Sequence, residues 1–65
     1  MEIELVLNKN VVATLRKVEE LKLLKEKYSG KMPYQVILIT DNDNDIRELQ
    51  KLGIKFRLEW AGAWC

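Results

Sequence analysis

Tyr34–Trp60, YQVILITDNDNDIRELQKLGIKFRLEW, is the stretch whose reading decides the fold. The apolar run Val36-Ile37-Leu38-Ile39 meets an acidic, amide-rich cluster at Asp41–Asp45. Ile46, Leu49 and Leu52 then recur at helical spacing, Gly53 follows, and Ile54, Phe56, Leu58 and Trp60 alternate with Lys55, Arg57 and Glu59. The order reads as strand, helix N-cap, helix, glycine stop and second strand. A strand apolar on both faces belongs in the middle of a sheet. The last strand, alternating, keeps one face wet.

Working outward, Ile3, Leu5 and Leu7 alternate with Glu2, Glu4, Val6 and Asn8 and predict a half-buried first strand. Asn8-Lys9-Asn10 breaks the alternation, with Asn10 as a candidate N-cap. Val11, Leu15, Val18, Leu21, Leu24 and Tyr28 recur at spacings of three and four, predicting a long helix over roughly Val11 to Tyr28. Ser29-Gly30 ends it, and Met32-Pro33 enforces extended backbone before the next strand.

The expected fold class is therefore α/β, in the order βαβαβ. It has a single three-stranded sheet, parallel because both connections are crossover helices. Strand order 1-2-3 puts both helices on one face. The other face then carries Val6, two of the aliphatic residues at 36–39, and Glu2, Glu4, Lys55 and Arg57. Nothing helical remains to cover it, so the tail Trp60-Ala61-Gly62-Ala63-Trp64-Cys65 or a second subunit would have to. Order 2-1-3 would bury Glu2 and Glu4 by centring the first strand.

At 65 residues there is one domain, 1–65, with 61–65 as tail, near the lower size limit for unaided folding. A lone cysteine, Cys65, excludes an intramolecular disulfide, and the absence of His removes the commonest transition-metal ligand and general base. Regular packing or self-association is left to stabilise the chain. Eleven basic and ten acidic residues, net +1, lack the basic excess of nonspecific nucleic-acid binders. Glu2 and Glu4 stand where a secretory signal would be cationic, and no apolar run is long enough to span a membrane. The expected location is cytoplasmic.

Asp41-Asn42-Asp43-Asn44-Asp45 is the one constellation that suggests chemistry. Asp and Asn accept hydrogen bonds from the free amides of a helix's first turn, and Asp45 with Glu48 has capping-box spacing. Read instead as metal ligands, Asp41, Asp43 and Asp45 sit at i, i+2 and i+4, where open α/β sheets bind ligands. The spacing resembles an EF-hand loop at positions 1, 3 and 5, but Ile46 replaces its glycine and Leu52 its bidentate glutamate. ILITDNDND also resembles the strand-plus-DxD element of toprim nucleases and the first motif of haloacid-dehalogenase phosphatases. The toprim Glu-Gly has no counterpart at Asn8-Lys9-Asn10, and the chain is too short for the phosphatases' distal lysine and carboxylates.

LVLNKNVVATLRKVEELKLLKEKYSGK resembles the central βαβ unit of thioredoxin-like proteins, without sulfur at the matching Asn10-Val11-Val12-Ala13 window. Leu/Lys/Glu-rich helices, the strand-to-cap junction VILITDNDND and the Leu52-Gly53-Ile54 turn resemble de novo designed small α/β (Rossmann-like) proteins. The expectation is a non-enzymatic chain without cofactor, either a minimal or designed scaffold or a small protein-interaction domain. Its expected partner is a second copy, through the uncovered sheet face or Cys65, and not nucleic acid or a membrane. The competing class is a metal-dependent phosphoryl-transfer remnant using Asp41, Asp43 and Asp45.

Overall fold

Asn8 and Lys9 both have positive φ, 52° and 67°, and that pair sets the topology. In the computed structural model, which describes residues 1–29 and 31–62, they form a two-residue hairpin turn between β1 (Glu2–Leu7) and β2 (Asn10–Leu15). Two central residues at φ > 0 match the twist of antiparallel strands, so the chain doubles back. The segment Asn10–Leu15 is thus a strand, where helical spacing predicts the first turns of a helix. Val11, Val12 and Thr14 are β-branched and lose χ1 freedom in a helix, and the short turn offers them a partner strand. Asn10 caps nothing; its side-chain amide donates to the Asn8 carbonyl at 3.2 Å.

The helix itself, α1 (Val18–Lys27), begins after Lys17. β3 (Gln35–Thr40), α2 (Asp43–Lys51) and β4 (Arg57–Trp60) follow. The sheet is four-stranded and mixed, in order β2-β1-β3-β4, with only the β3–β4 pair parallel. The expected three-stranded parallel sheet in order 1-2-3 is overturned. β1 is an interior strand that runs against its neighbours, and the extra strand β2 takes the margin. Centring β1 does not bury its acids: Glu2 is exposed and Glu4 half-buried, because both point to the face opposite the core. β2, β3 and β4 all run the same way, so α1 crosses from β2 to β3 over β1, and α2 from β3 to β4.

Strand register builds the core. Ile3 stands between Leu15 and Leu38, and Leu5 between Ala13 and Val36. Leu21 of α1 and Leu49 of α2 pack onto this face, and all six of Ile3, Leu5, Leu21, Val36, Leu38 and Leu49 are buried. Each fully buried aliphatic side chain contributes about 1.5–3 kcal/mol. Gly53, at φ 71°, ends α2 in the left-handed region. The Lys25 ammonium donates to the Leu52 carbonyl, tying the ends of the two helices together.

Candidate functional site

The acidic turn is built as a cap. Asn42, in extended backbone before α2, accepts from the Asn44 N–H at 2.9 Å through its side-chain oxygen. Behind it, buried Thr40 accepts from the Asn42 N–H at 3.0 Å and donates to Asp45 Oδ2 at 2.5 Å. Asp43 and Asp45 lie in the first turn of α2, where anions complement the helix dipole. The turn therefore has a stated structural role: it closes the end of β3 onto the start of α2. Among the described residues no group of three Asp, Glu, Cys or His is placed to hold a metal ion. Asp41, Asp43 and Asp45 do not converge, and one of them is taken up by Thr40. Thr40 escaped the reading of the sequence; a threonine two residues before an Asn cap is the signal that would have found it.

The face of the sheet away from the helices is different in kind. Ile37 stands in register between Glu4 and Arg57, and Ile39 between Glu2 and Glu59. Both isoleucines are half-buried, and Val6, flanked by Val11 and Gln35, is buried on the same face. This gives an apolar centre with acids along β1 on one side. On the other side Arg57 and Glu59 pair with each other at 2.7 Å. No helix covers it.

β4 is the second exposed feature. Leu58 and Trp60, in register with Leu38 and Thr40, are on the helix face yet each 42% exposed, because α2 reaches only part of the outer strand. Gly62 lies against the Trp60 indole so closely that a Cβ there would fall 2.4 Å from Nε1, so a larger residue would require the exposed indole to shift. Beside the start of β4 a shallow groove is lined by Tyr34, Val36, Ile37, Phe56 and Arg57. Tyr34 meets Tyr28 edge to face, with ring centres 6.0 Å apart. Its hydrogen bond with Tyr28 raises the Tyr34 hydroxyl above the ordinary phenol range.

Trp64 and Cys65, the expected tail contact and tail thiol, lie outside the described residues. No helix among those described is long and apolar enough to cross a membrane. Comparison with protein families, with curated proteins and with solved structures finds no match to this chain.

Proposed function

We propose that this chain is a non-enzymatic interaction module, a minimal α/β scaffold that works by holding a second copy of itself. The observation that carries the reading is the amount of sheet left unpartnered. Among the described residues no element covers one face, with Ile37 and Ile39 at its centre, and both outer strands are unpaired edges bearing exposed apolar side chains, Val11 and Val12 on β2, Leu58 and Trp60 on β4. An unpaired strand edge that carries exposed apolar side chains is a ready-made contact site. The competing phosphoryl-transfer reading finds no support in the acidic turn: among the described residues no three carboxylates are placed to hold a metal, Asp45 is bonded to Thr40, and Asn42 caps α2.

Sedimentation equilibrium over a wide range of concentrations, with reductant present to remove any contribution from Cys65, tests the reading. A mass that rises from monomer to dimer is expected. A monomer throughout overturns it.

A further inference from the structure

The strand order leaves β2 and β4 as edges, and an edge is a row of backbone donors and acceptors awaiting a partner. On β4 the direction of those groups can be assigned. The Ala61 N–H donates to the Thr40 carbonyl at 2.9 Å. Hydrogen-bonding direction alternates along a strand, so Arg57, Glu59 and Ala61 turn their polar groups toward β3. Leu58 and Trp60 turn theirs to the free edge.

Charged side chains normally guard an edge against pairing. On β4 they do the reverse, because Phe56-Arg57-Leu58-Glu59-Trp60 is self-complementary: aromatic, cation, leucine, anion, aromatic. Running the same segment antiparallel against itself, centred on Leu58, opposes Arg57 to Glu59, Glu59 to Arg57, and each Phe56 to Trp60 of the second copy. Residues directly opposite in an antiparallel pair share a face, and this register respects that: Phe56, Leu58 and Trp60 lie on the helix face, Arg57 and Glu59 on the other. It also matches the free backbone groups. The two Leu58 residues become a hydrogen-bonded pair, each donating its N–H to the other's carbonyl. Arg57 and Glu59 fall at the non-hydrogen-bonded positions, where opposing side chains come closest.

We propose that two copies of this chain join at β4, antiparallel about a two-fold axis midway between the paired Leu58 residues, into one continuous eight-stranded sheet. The proposal rests on the self-association reading and names its surface. The internal Arg57–Glu59 ion pair becomes a four-charge cluster across the joint. Because the axis is perpendicular to the sheet, the two uncovered faces end up side by side and stay open.

Charge-swapped variants give the test, read by sedimentation with reductant and by amide hydrogen exchange. Arg57→Glu leaves two acids facing two acids, and Glu59→Arg leaves two cations facing two cations. Each alone is expected to weaken the dimer by more than about tenfold. An equal mixture of the two variants should restore association as a heterodimer, and the double variant carrying both changes should again pair with itself. In the wild type the Leu58 and Trp60 amides should exchange more slowly as concentration rises. Val11→Lys, on the opposite edge β2 and 53% exposed, should leave association unchanged.

Recovery in the mixture also shows that each variant is folded. A dimer that survives both single swaps, or one that Val11→Lys abolishes, overturns edge pairing at β4 and leaves self-association through another surface standing. Monomers at every concentration overturn both.

Discussion

β2 presents no charge between Asn10 and Leu15 and leaves Val11 and Val12 about half exposed, whereas β4 places opposite charges two residues apart on one face and apolar residues on the other. β2 is apolar without a code: no register of the strand against itself is favoured by charge. It also carries a bulge, since its pairing with β1 skips from Leu5–Ala13 to Val6–Val11 and leaves Val12 unpaired. A bulge adds local twist and spoils an edge as a template. β4 is shorter and regular, and its charges specify one alignment. Fractional exposure alone would rank β2 as the stickier edge; the pattern of charge and backbone direction ranks β4. The two edges are also secured differently. β2 is held by a tight local turn, while β4 depends on a crossover helix and its caps.

The shared centre is where a substitution should damage both sides at once. Leu38 is fully buried and bridges Ile3 of β1 and Leu58 of β4. Leu38→Ala is expected to cost roughly 2–5 kcal/mol, a large share of the stability of a domain this small. Urea denaturation followed by tryptophan fluorescence and by circular dichroism should show one transition shifted far to lower urea. A loss below about 1 kcal/mol would mean that the two margins do not share a core.

The β4 side should be loosened selectively at its caps. Gly53 has φ 71°, and an added Cβ would meet nothing closer than Lys25 Nζ at 3.8 Å, an ordinary contact. Space is therefore available for Gly53→Ala and the cost is purely conformational, about 1–2 kcal/mol for an L-residue held in the left-handed region. Asn42→Ala removes the acceptor for the Asn44 N–H and should cost about 1 kcal/mol. Both changes should speed amide exchange in α2 and β4 before they affect the β1–β2 hairpin. Equal acceleration on both sides would show that the sheet opens only as a unit, and that the difference between the margins is one of geometry and not of stability.

How far the sequence exposes this architecture divides along the same line. From Gln35 onward, period and punctuation agree: an apolar strand, an acidic, amide-rich cluster at the helix start, Leu49 at helical spacing, and glycine where φ > 0 is needed, although the cap is Asn42 and not the Asp45–Glu48 box that the spacing suggests. The capping role of the acidic turn is legible for the same reason, since the chemistry is local. Ahead of that point two periodicities overlap. Leu15, the last inward residue of a strand, falls three residues before Val18, the first residue of the helix, so strand and helix read as one helical face. Asn8-Lys9 lacks the glycine that marks most two-residue hairpins, which hides the reversal. β-branching at Val11, Val12 and Thr14 was the available countersignal. The partner of an edge strand is a long-range property, so the self-complementarity of 56–60 acquires meaning only once β4 is known to be outermost.

Lys9 offers the smallest and most discriminating change. It occupies φ 67° without a glycine's freedom, at the turn that converts an apparent helix into β2. Lys9→Gly removes strain of about 1–2 kcal/mol and adds about 0.4–1 kcal/mol of unfolded-state entropy. The expected outcome is a net stabilisation of up to about 1 kcal/mol, the opposite sign to Gly53→Ala for the same physical reason. Its effect should be local: slower exchange of the β1–β2 amides and no change in the Leu58 and Trp60 amides at low protein concentration. Destabilisation by Lys9→Gly would show that the Lys9 side chain itself holds the turn. In that case the hairpin margin rests on a contact and not on backbone conformation, and the contrast between the two sides of the sheet would have to be rebuilt on that contact.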